Sequence, residues 1–298
     1  METSNKEHQS TESPRIFVPP SAGEAIEVNG INYFIGHQIG QGSFGAVYDC
    51  ADEWGNDLVA KVILPQNRSY EAVREEWWHE LQSLQQLRHP QITYIHQAFE
   101  YRDTFYIVVE KCTMTLNEII ASPNTNGELW VPYVARDILN GLQYIHDHGY
   151  IHKDLHAGNI LVSQQRDPMV PTKDPVWRFK VADLGISKLE SDVRIFGTVL
   201  AQWMLPPEYL NIQEFGVVGK HVDVYHVGLL LLSLIQNRVL SFSQDEILDG
   251  VPRKVAEHLP SPYGPVIARA LRRHVEARTS SAIQLWREIS HTASQIQP

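Results

Sequence analysis

The chain has 298 residues, of which 43% are hydrophobic and 20% charged, a composition that excludes disorder throughout. Its 25 lysines and arginines against 35 aspartates and glutamates give a formal net charge of −10, which argues against nucleic acid or anionic lipid as a partner. The longest apolar run, residues 227–235, is far shorter than the roughly 20 residues that span a bilayer. The N-terminus lacks the basic-then-apolar pattern of a secretory signal, so we expect a cytoplasmic protein without a membrane span.

The first part of the chain predicts a disordered tail followed by a small antiparallel sheet with one helix. Residues 1–20 are rich in Ser, Thr, Glu and Pro, as mobile tails are. Between about 21 and 110, short β-branched and aromatic runs alternate with turn residues, and apolar residues in 70–87 recur at helical spacing. The predicted strands cover residues 31–35, 46–50, 58–64, 92–100 and 104–110.

From about residue 113 to 298 the pattern becomes mainly helical, so an α+β fold with two lobes is expected. Helices are predicted over 116–121, 132–148 and 221–235, with further helices to the end. Two short apolar runs, 160–162 and 179–182, predict a β-ribbon with an extended loop over 163–177. The two cysteines, Cys50 and Cys112, lie in no metal-binding or redox pattern, and we expect both to be buried, reduced thiols.

A glycine-rich pattern, G-x-G-x-x-G-x-V, joins two of the predicted strands at Gly40, Gly42, Gly45 and Val47. Glycines let backbone amides approach a polyphosphate closely. Alone the pattern is a weak signal, because a glycine-rich hairpin without a ligand explains it equally well. A dinucleotide-binding fold is excluded, since the pattern would then open a helix, whereas residues 46–50 continue as a strand.

A lysine, Lys61, lies in the apolar strand that follows and needs an anionic partner there. Phosphate oxygens and a carboxylate of the predicted helix are candidates, with Glu75, Glu76 and Glu80 all available. An exposed lysine on an edge strand is the commoner outcome for a single lysine. The strand alone therefore leaves the role of Lys61 open.

A third pattern is decisive, because it adds H-K-D-L-H-A-G-N over residues 152–159 and D-L-G over 183–185. With the glycine-rich loop and Lys61, this ordered set resembles the eukaryotic-type protein kinases. P-P-E at 206–208, D-V-Y-H-V-G at 223–228 and Arg278 extend the resemblance, which runs from about Tyr33 to Ile289. It implies a bilobal protein-kinase-like fold.

The resemblance implies an ATP- and Mg²⁺-dependent kinase that transfers the γ-phosphate to Ser/Thr hydroxyls of proteins. By it, Asp154 orients the acceptor hydroxyl and takes its proton, while Asn159 and Asp183 hold Mg²⁺. Lys61 binds the α- and β-phosphates, and Glu80, ten residues before Pro90, is the carboxylate that fixes it.

The same resemblance assigns an adenine site between the lobes and a structural ion pair. Val47 and Ala60 would cover the adenine, Leu161 would support it, and the backbone from Glu110 to Cys112 would offer hydrogen bonds. With the three glycines these residues complete the predicted nucleotide site. Glu208 and Arg278 match a buried ion pair of the larger lobe.

The sequence departs from the Ser/Thr kinases two positions after Asp154, where His156 replaces a lysine. The threonine that pairs with that lysine is replaced as well, by Ala201, and Leu184 stands in place of the usual Phe. The D-L-H-x-G-N form also resembles small-molecule phosphotransferases related to aminoglycoside and choline kinases. Two alternatives therefore stay open: such a phosphotransferase, or a pseudokinase that binds nucleotide without turnover.

The segment after Asp183 offers hydroxyl groups for autophosphorylation. Lys153 replaces the usual arginine and can pair with a phosphate on Ser187, Ser191 or Thr198. The alternative is that all three are unmodified loop hydroxyls.

Overall fold

The structure, a computed structural model, describes residues 17–41, 45–65, 67–166, 168–169, 175–184, 188–189 and 204–296. The described chain forms two compact units. The first extends to His79 and includes Ile95–Glu110, and the second comprises Glu80–Tyr94 and the chain from Lys111 onward.

The first unit contains one six-stranded antiparallel sheet, in the order β1-β2-β3-β4-β6-β5. Its strands are β1 Ala25–Val28, β2 Ile31–Gln41, β3 Gly45–Asp52, β4 Asp57–Ile63, β5 Ile95–Tyr101 and β6 Thr104–Glu110. The five predicted strands are confirmed, with shifted ends. β1 was not predicted, although Asn29 and Gly30, both at positive φ (53° and 81°), form the two-residue turn that Asn-Gly favours in hairpins.

Side chains of the sheet alternate between two faces, and one of these faces forms a hydrophobic core. Leu58, Ala60 and Val62 of β4 belong to that core, whereas Val59 and Lys61 on the opposite face are half-buried. The other buried members of the core are Ile26, Tyr33, Ile35, Ala46, Tyr48, Cys50, Phe99, Tyr106 and Val108. The alternation fixes which residues of β4 face away from the core.

The helix α1, Tyr70–Gln86, confirms the prediction for residues 70–87. Its first half packs on the sheet: the Trp77 ring lies 5.2 Å from that of Phe105, and Trp77 Nε1–H donates to the Tyr106 carbonyl at 3.0 Å. The boundary between the two units falls within α1, after His79.

The packed chain begins earlier than the predicted tail boundary at residue 20. Val18 N–H donates to Thr104 Oγ1 at 3.2 Å, and the Thr104 hydroxyl lies 3.0 Å from the Val18 carbonyl. Phe17 packs against the hydrophobic core of the sheet. Residues 17–20 therefore belong to the folded part, because backbone groups paired with a buried side chain hold them there.

The second unit is mainly helical. Its helices are α2 Leu116–Ala121, α3 Gly127–Asp147, α4 Pro207–Leu210, α5 Ile212–Phe215, α6 His221–Ile235, α7 Gln244–Leu248, α8 Val251–Glu257, α9 Gly264–Ala270 and α10 Ala282–Ile296. Helices α2 and α6 match their predictions to the residue. Helix α3 begins five residues before the predicted start at Pro132, because Asn126 caps it by accepting the Glu128 N–H.

The predicted β-ribbon is confirmed, with longer strands than expected. Strands β9 Ile160–Gln165 and β10 Val176–Val181 pair antiparallel, and β7 Met114–Thr115 joins the other edge of β9. Residues 166–175 separate the two strands, a shorter stretch than the predicted loop over 163–177. Two short strands, β8 Tyr150–Ile151 and β11 Lys188–Leu189, form a separate pair.

Neither cysteine forms a disulfide. Cys50 is buried, and its burial raises the pKa of the thiol to about 12. Cys112 is half-buried, so the prediction of two buried thiols is correct for Cys50 alone. In the described part of the chain, no helix is both long and apolar enough to cross a membrane.

Candidate functional site

The loop 152–159 follows β8 and is anchored by the carboxylate of Asp223 on α6. Backbone N–H groups of His152 and Lys153 donate to its two oxygens at 2.9 and 2.8 Å, and His146 Nε2 lies 2.8 Å from Oδ2. Burial alone would raise the pKa of Asp223, but the hydrogen bonds from His146 and His152 lower it to about 2. The anchor is therefore a buried, ionised carboxylate.

The imidazole of His152 ties this loop to the chain that carries Asp183. Its Nδ1 accepts the Asp154 N–H at 3.3 Å, so its proton is on Nε2, which donates to the Ala182 carbonyl at 2.9 Å. His152 is fully buried. The two ring nitrogens of His152 thus bind the backbone of Asp154 and of Ala182, the residue before Asp183.

Asn159 ends a 3₁₀ turn, Ala157–Asn159, and its side chain is oriented by Asp154. Its Nδ2 donates to the Asp154 carbonyl at 2.9 Å and to Asp154 Oδ2 at 3.3 Å. Because the amide nitrogen faces Asp154, the carbonyl oxygen Oδ1 points the other way. The Asp154 side chain is 13% exposed, so its carboxylate is partly accessible.

Asp183 lies beside Asn159 because the Ala182 N–H donates to the Asn159 carbonyl at 2.9 Å. The backbone of Asp183 has φ +59°, a left-handed conformation that costs a non-glycine residue about 1–2 kcal/mol. Such strain is characteristic of functional sites. The structure therefore places Asp154, Asn159 and Asp183 near one another in the second unit.

His156 is also part of this loop. Its Nδ1 accepts the Gly158 N–H at 3.1 Å, and its Nε2 lies 3.7 Å from Asp154 Oδ2. Burial is the largest influence and lowers the pKa of His156, outweighing the nearby carboxylates of Asp154 and Asp183. The side chain is consequently a neutral imidazole at neutral pH.

In the first unit, Lys61 lies in the interior strand β4, directly opposite Val47 of β3 and Ile107 of β6. Residues opposite each other in a sheet share a face, so Val47 and Lys61 do. Ala60 is fully buried in the core on the other face. Because Ala60 does not share a face with Lys61, its predicted role as a cover for adenine is corrected. The residue of β4 that does share that face is Val59, two positions before Lys61, since side chains alternate strictly along a strand.

The glycines of the predicted phosphate loop are described in part. Gly45 begins β3, where a Cβ would lie 2.6 Å from the Val62 carbonyl oxygen, so only glycine fits. Gly40 lies opposite Val47 at the end of β2. Gly42 lies outside the described residues.

Among the three candidate carboxylates of α1, Glu80 differs from the others by its burial. Glu80 is 3% exposed, whereas Glu75 is exposed and Glu76 is paired with Arg68. Lys61 and Glu80 fall in different compact units, and their pairing stays a prediction.

The remaining predicted nucleotide-site residues lie in both units. Glu110 ends β6, Cys112 follows it and is half-buried, and Leu161 is half-buried in β9 opposite Lys180. Their contacts with a nucleotide stay predictions. Ser187, Ser191, Thr198 and Ala201 lie outside the described residues.

The predicted ion pair between Glu208 and Arg278 is confirmed. Two parallel hydrogen bonds of 2.7 and 2.8 Å join the fully buried side chains. Arg278 also donates to the carbonyls of Arg272 and His221 at 2.9 Å each, and lies 4.9 Å from the centre of the Tyr225 ring.

Comparison with known proteins agrees with this arrangement. A family model described as a protein kinase domain matches residues 33–295. The chain belongs to the protein kinase family. ATP and a divalent metal are the usual requirements of this family.

Two serine/threonine-protein kinases are among the curated relatives of this chain. Serine/threonine-protein kinase TAO3 of Pongo abelii is 30% identical over 218 residues, which cover 71% of this chain and 22% of that protein. Serine/threonine-protein kinase TAO2 of Homo sapiens is 30% identical over 213 residues, covering 70% of this chain and 16% of that protein. The chain thus matches about a fifth of the length of these relatives.

Proposed function

We propose that this kinase-family chain transfers the γ-phosphate of ATP to Ser/Thr hydroxyls of proteins, with Mg²⁺ as its metal. The single observation that supports it most is the joint placement of Asp154, Asn159 and Asp183 on one hydrogen-bonded frame. Phosphoryl transfer depends on positioning and charge stabilisation more than on covalent chemistry, and such a frame supplies positioning.

The donor atoms of Asn159 and Asp183 suit Mg²⁺. Both side chains offer oxygen, the ligand that this hard cation prefers, and Asp154 holds Asn159 with its amide oxygen directed away. No cluster of three or more His, Cys, Asp or Glu side chains with metal-binding geometry occurs among the described residues, so substrate phosphates would complete the coordination. When bound, the metal would neutralise charge on the phosphate oxygens.

Asp154 is proposed as the residue that receives the proton of the acceptor hydroxyl. Its carboxylate is partly exposed and held by Asn159 Nδ2, so it is both accessible and oriented. In the first unit, Lys61 is proposed to bind nucleotide phosphates, with Val47 and Val59 beside it against the base. Ala60 has no part in this proposal, because it belongs to the core.

The test is transfer of label from γ-labelled ATP to a generic protein substrate, followed by mass spectrometry of the modified residues. We expect phosphoserine or phosphothreonine that depends on Mg²⁺, and a fall of about 10²–10⁴-fold in Asp154→Asn. Asp147→Asn is the matched control, since Asp147 lies at the end of α3, where Gln143 donates to it.

Three results would contradict the proposal. Undiminished transfer by Asp154→Asn would remove Asp154 as the base. A parent protein whose melting temperature rises with Mg·ATP but which transfers nothing would be a pseudokinase. Turnover on hydroxylated small molecules without any on proteins would identify a small-molecule phosphotransferase.

A further inference from the structure

His156 separates this chain from kinases with lysine at the same place, and its two ring nitrogens have different surroundings. Nδ1 accepts the Gly158 N–H at 3.1 Å, so Nδ1 presents a lone pair and the proton of the neutral ring is on Nε2. The His156 carbonyl also accepts the Asn159 N–H at 2.9 Å. His156 thus stabilises the start of the 3₁₀ turn Ala157–Asn159 through hydrogen bonds of both its side chain and its backbone.

A lysine cannot occupy this position in the same way. An ammonium group has three donors and no acceptor, so it leaves the Gly158 N–H without its side-chain partner. The ring also lies close to the backbone of Gly158, where a Cβ would come within 3.0 Å of His156 Cε1. Imidazole at 156 and glycine at 158 therefore form one local structure that orients Asn159.

The other ring nitrogen faces the proposed base. Nε2 and Asp154 Oδ2 are 3.7 Å apart, too far for a direct hydrogen bond, and the two side chains are 31% and 13% exposed. An oxygen atom that lies beside the pair, off the line between them, reaches both at about 2.8 Å, because two such distances sum to more than 3.7 Å. It would accept a hydrogen bond from Nε2–H and donate one to the carboxylate, and a hydroxyl group does both.

We propose that His156 Nδ1 caps the turn that carries Asn159, while His156 Nε2–H donates to the oxygen of the acceptor hydroxyl and orients it toward Asp154. This role rests on the proposed function. In the transfer, the hydroxyl O–H bond breaks and its proton passes to Asp154 Oδ2. One oxygen lone pair stays in the hydrogen bond from His156, and the other forms the bond to the γ-phosphorus. The bond from phosphorus to the bridging oxygen breaks, and ADP leaves with that electron pair.

Two isosteric variants separate the two nitrogens. The Oδ1 of asparagine takes the place of Nδ1, and the Nε2 of glutamine takes the place of the ring Nε2–H. We expect His156→Asn to keep the parent's melting temperature but to lose about tenfold in kcat/KM for the protein substrate. We expect His156→Gln, which has no acceptor in the place of Nδ1, to melt at a lower temperature than the parent. Neither should change the KM for ATP.

Each result decides one half of the proposal. Transfer by His156→Asn at the parent's rate overturns the hydroxyl contact, and an unchanged melting temperature in His156→Gln overturns the cap. His156→Lys is a third variant: transfer faster than the parent's would mean that the position needs a cation toward phosphate, which also overturns the hydroxyl contact. If the parent transfers no phosphate, the proposed function fails and the hydroxyl contact with it, whereas the melting temperatures still decide the cap.

Discussion

The carboxylate of Asp223 accepts three donors at once: two consecutive backbone N–H groups and the imidazole of His146. Only an ionised carboxylate has the acceptor sites for all three, since the amide of asparagine has a single oxygen. Lys153, whose N–H is one of the donors, has φ +72°. The anchor therefore maintains a loop conformation that a non-glycine residue adopts only at a cost.

We predict that Asp223→Asn lowers the free energy of unfolding by roughly 2–4 kcal/mol and kcat by at least about tenfold, because at least one buried N–H loses its acceptor. Urea unfolding and steady-state kinetics measure the two effects. Asp137→Asn is the matched control. The buried Asp137 accepts one backbone N–H, from Phe179, outside the loop 152–159, so it should affect stability with little change in kcat per folded molecule.

His226, one turn after Asp223 on α6, is a buried imidazole. Within the described part of the chain, neither ring nitrogen has a hydrogen-bond partner. Burial is the largest influence and lowers the pKa of His226, although Asp223, Asp154 and Glu208 act to raise it. The folded chain therefore binds a proton at His226 less readily than the unfolded chain, in which a histidine titrates near pH 6.5.

This difference predicts a pH dependence of stability. Below about pH 6.5, His226 binds a proton more readily in the unfolded chain than in the folded chain, so its contribution to the free energy of unfolding falls as the pH falls. In His226→Leu that contribution disappears, and the variant should gain stability relative to the parent between about pH 7.5 and 5.5. Urea unfolding at several pH values measures it. A gain in the free energy of unfolding that is the same at every pH would contradict the prediction. The control is His37→Leu, because His37 is exposed.

At the scale of single elements, the helix α3 depends on one close approach. A Cβ on Gly127 would lie 1.7 Å from the Leu234 carbonyl oxygen of α6, and the Gly127 N–H donates to Asn237 Oδ1 at 3.2 Å. The first residue of α3 is thus set against the C-terminal end of α6. No side chain fits there without moving one of the two helices.

We predict that Gly127→Ala lowers the free energy of unfolding by about 3 kcal/mol, because the backbone must shift to admit a methyl group. Helix propensity alone would favour alanine by about 1 kcal/mol, so a loss of stability identifies the steric cause. Thermal or urea unfolding measures it. Leu129→Ala in the same helix is the control, since that side chain is exposed and should cost little.

The sequence predicts a helix or a strand correctly where the residues that determine its ends lie within or next to it. The sequence predicts both ends of helices α2 and α6 to the residue. In each, a run rich in apolar residues is flanked by residues that disfavour a helix, and these mark where the helix begins and ends. The start of α3 was missed because Pro132 resembles a first helical residue, whereas Asn126 is the cap. Ala60 was assigned to the adenine site, although alternation along the strand places Val59 and not Ala60 on the same face as Lys61.

The candidate site likewise has features that the sequence predicts and features that depend on tertiary packing. Asp154 and Asn159 belong to one short motif and Asp183 to a second, and the resemblance carried by the two motifs predicts that the three residues lie close together. The anchoring of the loop by Asp223, about 70 residues away in sequence, was not, because hydrogen bonds at such separation depend on tertiary packing. The hydrogen bond from Gly158 to His156 Nδ1 was also missed, since a sequence does not give the orientation of an imidazole.

At the scale of the whole molecule, the ion pair of Glu208 and Arg278 joins distant parts of the second unit. We predict that Arg278→Met lowers the free energy of unfolding by about 3–5 kcal/mol, because it leaves a buried carboxylate without its counter-charge. The double variant with Glu208→Gln should recover part of the loss, and urea unfolding of all four proteins completes the cycle.

The exposed pair of Arg253 and Glu257 is the matched control, at 3.2 Å and one helical turn apart. Arg253→Met should change the free energy of unfolding by less than about 1 kcal/mol, because water screens both charges. A cost for Arg278→Met as small as that of Arg253→Met would mean that the buried pair contributes little to stability.

The buried pair also has a consequence for the protein during its synthesis. Glu208 leaves the ribosome 70 residues before its partner Arg278. At about 5–20 residues per second, translation separates them by roughly 4–14 seconds. Throughout that interval the nascent chain carries a carboxylate that is buried in the folded protein only with its partner, so the second unit cannot finish folding until Arg278 has been made. The described strands of the sheet in the first unit all lie before residue 111, so they have been synthesised long before then.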